Sequence, residues 1–149
     1  MLTARNILEI KGKDIWSVSP DDSVYDALRL MARIDIGAVL VIENDKLIGI
    51  LSERDYARKI ILFGKTSRET KVREIMTDKV ITIHPMQICE ECMDVMTKNR
   101  IRHLPVVLDG EILGVLSIGD VVKHIIHKQR KKIKDLSDRV IKSEVFNFP

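Results

Sequence analysis

Apolar residues in this chain recur at two spacings, and the two spacings alternate in the same order twice. Short apolar stretches at Ile15 to Val18, Val39 to Ile42 and Leu47 to Leu51 have counterparts at Val80 to Ile83, Val106 to Leu108 and Ile112 to Leu116, and read as strands. Between them, Val24, Ala27, Leu28 and Met31, matched by Cys89, Cys92, Met93 and Met96, fall three and four apart, the period of one helix face. Each half therefore predicts a strand, a helix (Ser23 to Ile34; Ile88 to Asn99), two strands joined by a tight turn, and a second helix. Asn44-Asp45 and Asp109-Gly110 supply the turns, being residue types that accept positive φ between hairpin strands.

The match is residue by residue. A shift of 65 brings Pro20 onto Pro85, Met31 onto Met96, Ile36 onto Ile101, Gly49 onto Gly114, Ser52 onto Ser117 and Asp55 onto Asp120. A shorter echo precedes each copy: Ala4 to Leu8 against Val72 to Met76, offset by 68 because Lys11 to Asp14 adds three residues. Two copies of one supersecondary unit pack around a pseudo-twofold axis and enclose two related clefts. The expected fold is α/β, two β-α-β-β-α repeats with a C-terminal helical extension. Residues 1–64 form repeat 1 with its lead-in, 65–127 repeat 2, and 128–149 a basic helix or tail. The polar stretch Phe63 to Lys71 is the seam between halves.

Beyond Ile126 the period changes. Val122, Ile126, Gln129, Ile133, Leu136 and Val140 alternate steps of four and three, the seam of a helix that packs along another helix, either back onto the module or onto a second subunit. Phe146 and Phe148 read as a hydrophobic hook or a disordered end. The chain carries 25 Lys and Arg against 22 Asp and Glu, a net charge of +3 too small to name a partner. No apolar run approaches the roughly 20 residues that a membrane-crossing helix needs, and the N-terminus lacks a signal-peptide pattern, so the expected location is cytoplasmic with no membrane partner.

The segments Gly49 to Asp55 and Gly114 to Asp120 each end a strand and open a helix. Ser-x-x-Asp at such a corner is a capping pattern, with the Ser oxygen satisfying free N–H groups. The same helix N-terminus presents donors and a positive dipole to an anion, and an Asp one turn on can accept hydrogen bonds from the vicinal hydroxyls of a ribose. These two Gly-h-h-Ser-x-x-Asp segments (h, apolar), the Ile101 to Val106 segment and the repeat itself resemble a tandem pair of CBS domains, a Bateman module, over about residues 3 to 127. The resemblance implies adenosine-containing ligands in the clefts: AMP, ADP or ATP, with NAD(H) or S-adenosylmethionine as further candidates.

Carried over by position, the resemblance gives one cleft Asp55 as ribose-binding acid, Ser52 beside it, Ile50 as an apolar wall, Ile36, Gly37 and Ala38 against the adenine and Trp16 lining the base pocket. Arg102 and His103 reach its phosphates from the other repeat, and Arg54 is a candidate to assist the ligand of either cleft. The second cleft receives Asp120, Ser117, Val115, Ile101, Ile81 and Thr77, with Gly37 and Ala38 facing its phosphates. Phosphate in a partly buried cleft needs charge-assisted donors, so the Asp55 cleft is expected to bind more tightly.

Other candidates are weaker. Cys89 and Cys92 fall on the buried face of a helix, where a thiol behaves as a small apolar group, and no second Cys pair completes a zinc site. His124 and His127 continue into a basic stretch, and His84 precedes Pro85 in a loop. From Val121 to Pro149 there are eight Lys or Arg against three acids, which raises nucleic acid as a partner, but aromatic residues are 4% of the chain and stacking platforms are missing. No nucleophile, base and orienting group share a plausible spacing, so no catalytic or metal residue is assigned and no enzyme is expected. The resulting expectation is a module that senses energy or redox state for an unidentified regulated protein, as a homodimer. The alternative is an adaptor with vestigial clefts that docks on protein or nucleic acid through its basic helix.

Overall fold

The computed structural model describes residues 1–147, and its elements follow the duplicated order. Helix α1 (Ala4–Lys11) leads into strand β1 (Ser17–Val18), helix α2 (Val24–Ile34), the hairpin β2 (Ala38–Glu43) and β3 (Lys46–Ser52), and the short helix α3 (Glu53–Tyr56), which runs on as a π-helical turn over Ala57–Ile61. The second half comprises α4 (Val72–Ile75), α5 (Cys89–Asn99), the hairpin β4 (His103–Leu108) and β5 (Glu111–Ser117), and the long helix α6 (Ile118–Phe146). Phe148 lies outside the described residues.

The hairpins form as their turn residues require. Asn44 and Asp45 have φ of 50° and 62°, and Asp109 and Gly110 have 49° and 81°, the paired positive values that match hairpin twist. Both ladders carry an irregularity at the same place, after Val41 and after Val106. The first β-strand is unequal between halves. β1 pairs parallel to β2 through Ser17 with Leu40 and Val18 with Val41, whereas the expected strand Val80 to Ile83 shrinks to a single bridge from Ile83 to Val106. Proline explains the difference: Leu40 N–H donates to Trp16 C=O, and its counterpart Pro105 has no N–H to give.

Two apolar cores result. One joins Val18, Val24, Ala27, Met31, Val41, Leu51 and Ile60 with Val72 and Ile75; the other joins Ile83, Cys92, Met96, Leu104, Val106 and Leu116 with Ala4, Ile7 and Leu8. Each lead-in helix thus packs into the core of the repeat that does not follow it. Backbone bonds make the same crossing: Cys89 N–H to Leu2 C=O and Ala4 N–H to Gln87 C=O in one direction, Val24 N–H to Thr70 C=O and Val72 N–H to Asp22 C=O in the other. The approach is close enough to need glycine. A β-carbon at Gly114 would stand 2.7 Å from Leu8 Cδ2, and one at Gly49 would stand 2.5 Å from Met76 Sδ.

Helix α6 does not fold back. From Ile126 onward its described residues are exposed, including Ile133, Leu136 and Val140 of the expected seam. No helix among the described residues is long and apolar enough to cross a membrane. Leu8, fully buried at the crossing, should cost about 2–5 kcal/mol when replaced by alanine, whereas the exposed Ile10 two residues on should change stability by about 0.5 kcal/mol or less. Urea unfolding of Leu8→Ala and Ile10→Ala compares the two directly.

Candidate functional site

The two strand-to-helix corners are built alike. Ser52 and Ser117 cap α3 and α6, each accepting from the backbone N–H of the Asp three residues on at 3.2 Å, while Asp55 and Asp120 accept from the Ser N–H at 3.0 and 2.8 Å. The capping reading therefore holds at both, and it leaves each carboxylate mostly buried at a helix N-terminus, with 14% and 23% of the side chain exposed.

Their surroundings differ. At Asp55, Thr77 spans the corner: its backbone exchanges two hydrogen bonds with Ile50, at 2.9 and 3.0 Å, and its hydroxyl donates to Asp55 Oδ1 at 3.2 Å. Lys59 Nζ stands 3.2 Å from the same oxygen. At Asp120 a cleft of about 460 Å³ remains open between the repeats. Trp16, Ile36, Gly37, Ala38 and Ile50 wall it from the first repeat, and His103, Val115, Ser117 and Asp120 from the second. The difference traces to the extra residues after α1. Where Thr77 bonds the backbone of Ile50, the longer first lead-in instead sends Lys11 Nζ to Val115 C=O at 2.7 Å and to Asp120 Oδ2 at 2.5 Å.

This exchanges the expected groupings. Trp16, Ile36, Gly37, Ala38 and Ile50 face Asp120 rather than Asp55, and Thr77 meets Asp55 rather than Asp120. His103 joins Asp120 on its own repeat; a β-carbon on Gly37 would lie 3.5 Å from the His103 ring. The physical reason is the crossed docking, which brings the Asp120 corner against the first repeat's hairpin and the Asp55 corner against Thr77 at the end of the second lead-in. Ile81 and Ile101 pack against the second core, and the Arg102 side chain is exposed while its carbonyl accepts from Ile118 N–H. Arg54 donates to Arg100 C=O at 3.0 Å, tying the repeats together. Lys11 was missed by sequence reasoning, and its signal was the three-residue surplus in the lead-in.

Cys89 and Cys92 are free and buried; burial pushes both thiols up, Cys92 to about 11 with Cys89 beside it adding to the rise. His84 orders its loop by accepting from Met86 N–H, and its own N–H donates to Gln87.

Burial alone would raise the Asp120 carboxyl, but the Lys11 ammonium and the Ser117 donors outweigh it and hold the group below the usual carboxylate range. His103 is lowered, chiefly by burial and then by the Lys11 charge, with Asp120 opposing and Arg102 adding. Its imidazole is neutral at pH 7. Between its folded value and 6.5 the unfolded chain binds more protons, so this contribution to stability is present above 6.5 and is lost as pH falls through the folded value. Urea unfolding from pH 7.5 to 5 should show falling stability, and His103→Asn should flatten that slope; an unchanged slope would contradict the burial argument.

The family description "CBS domain" matches residues 3–62 and 72–127. The mitochondrial CBS domain-containing protein CBSX3 of Arabidopsis thaliana is 41% identical over 91% of this chain and 70% of its own length. The structure of a protein with CBS domains from Burkholderia ambifaria is 48% identical, with a TM-score of 0.82 over 85% of this chain and 96% of that one. The CBS domain pair of protein MJ0100, solved in complex with 5′-methylthioadenosine and S-adenosyl-L-methionine, has a TM-score of 0.74 at 23% identity over 86% of this chain and 98% of its own. The two matched segments, crossed lead-ins and paired capped corners make this chain a member of the CBS-domain family, a tandem pair forming one Bateman module.

Proposed function

We propose that this chain is a non-catalytic regulatory module that binds an adenosine-containing ligand in the Asp120 cleft and reports its occupancy to a separate protein. The observation that carries this reading is the cleft itself. Apolar Trp16, Ile36 and Ile50 offer a base a dry wall from one repeat, while Asp120 at the start of α6 offers ribose hydroxyls a charged acceptor from the other. AMP, ADP and ATP are the first candidates; NAD(H) and S-adenosylmethionine follow, the latter supported by the ligands held in the MJ0100 pair. A ligand held by both repeats favours the arrangement that brings them together, the differential affinity any population shift requires. The buried free thiols of Cys89 and Cys92 fit a reducing compartment, cytoplasmic in this reading, although the Arabidopsis relative is mitochondrial.

The Asp120 cleft is the tighter site, reversing the ranking expected from sequence: each carboxylate has a lysine beside it, but Asp55 also accepts from the Thr77 hydroxyl, whose backbone is paired with Ile50, whereas at Asp120 only the Lys11 side chain has to move. A thermal-shift screen with AMP, ATP, NADH and S-adenosylmethionine identifies the ligand. Calorimetry should then show Asp120→Asn weakening it by tenfold or more and Asp55→Asn changing it little; equal losses would reject the ranking, and no response to any adenosine ligand at millimolar concentration would favour the adaptor reading.

The exposed seam of α6 supports homodimerisation. With Ile126, Ile133 and Val140 at a positions and Leu136 at d, the β-branched and γ-branched residues fall as in parallel two-stranded coils, and Gln129 at d restricts the register. Arg139 at g then faces Glu144 at e of the second helix. Truncation after His127 should halve the mass measured by light scattering. An unchanged mass would reject this pairing and leave the basic face of α6 to another partner.

A further inference from the structure

The cleft carries a charge problem. Asp14, Asp35 and Asp120 line it, and among the described residues Lys11 is the one Lys or Arg that does so. His103, neutral at pH 7, brings a donor but no charge. Lys11 is already engaged: its ammonium donates to Asp120 Oδ2 and to Val115 C=O, and the same Oδ2 also accepts from Ser117 N–H. A cation therefore stands in front of the carboxylate that the proposed function assigns to ribose, and it comes from 109 residues away in sequence. At the other corner the corresponding lysine, Lys59, belongs to the turn right after Asp55.

We infer that Lys11 is an exchangeable counter-ion that sets the preference of this cleft for phosphorylated over unphosphorylated nucleosides, an inference that rests on the nucleotide-binding reading above. In the empty cleft Lys11 neutralises Asp120. When the two hydroxyls of a ribose take Asp120, they displace the ammonium, which keeps its tether at the end of α1, where Gly12 at φ 108° stops the helix. A nucleoside without phosphate must break the ion pair and gives the ammonium no new partner. A nucleotide offers it phosphate oxygens in the same cleft, a charge-assisted contact that replaces the one lost. Lys11 thus opposes adenosine and favours AMP through one side chain.

Isothermal titration of wild type, Lys11→Met and Lys11→Arg with adenosine and with AMP tests this. The Lys11 side chain is one-third exposed, so the methionine variant keeps the fold. Lys11→Met should bind adenosine more tightly and AMP more weakly, reducing the AMP-to-adenosine affinity ratio by about tenfold, the size of one charge-assisted hydrogen bond, and Lys11→Arg should retain most of the preference. A ratio equal to wild type would overturn the role of Lys11 while leaving nucleotide binding intact; no binding of either ligand to wild type would instead overturn the nucleotide reading itself. A readout free of ligand stands beside these: His103 should titrate at higher pH in Lys11→Met by NMR, and an unmoved titration would show that the ammonium does not sit in the cleft.

Discussion

The fold depends on a crossed docking. Each lead-in is hydrogen-bonded and packed onto the repeat that does not follow it, so Ala4, Ile7 and Leu8 complete the second core while Val72 and Ile75 complete the first. Burying an aliphatic side chain of this size contributes roughly 1.5–3 kcal/mol, and separating the repeats would expose several at once. The crossing also sets the angle between halves. Gly49 and Gly114 let Met76 and Leu8 lie against the hairpins, and the same docking brings the Asp120 corner to the first repeat's hairpin and Thr77 to Asp55. The interface and the site are consequences of the same contact.

Departures from symmetry then decide what each corner can do. The backbone of Thr77 zips to Ile50 and its hydroxyl covers Asp55, while the longer first lead-in replaces that zip with one flexible lysine and leaves a cleft at Asp120. A backbone pair is hard to displace because two amide groups would lose their partners together. A single lysine side chain, one-third exposed, can move aside without unpairing any backbone amide. The Asp120 corner is therefore the adaptable one, although its cap has the same geometry as that at Asp55.

Much of this was legible in the residues. The 65-residue shift located both hairpins and both caps, because positive-φ turn residues and Ser-x-x-Asp corners are local signals. The pairing of corners with walls was not. Periodicity says that Ile7 and Leu8 are buried but not against which repeat, and without the crossing Trp16 and Ile36 attach to the wrong acid. The lost strand at Val80 to Ile83 was readable in principle, since Pro105 stands where Leu40 donates, but its effect depends on a register that only the fold supplies.

Helix α6 joins the remaining parts. Ser117 caps it, Asp120 lies in its first turn, Val121 is buried in the second core, and Ile126 begins the exposed seam less than two turns after Asp120. At 1.5 Å per residue the element is about 43 Å long, and hydrogen bonding along it makes its first turn and its free end move as one body. Asp120 stands at the N-terminal pole of that body, where the helix dipole is felt most, and the exchange proposed for Lys11 would remove one link between α6 and α1 while the packing of Val121 with Ala4, Ile7 and Leu8 in the second core stays. Coupling between two sites needs a shared element whose position both can bias. Here the element is a single helix, with the cleft at one end and the unpaired apolar seam along the rest.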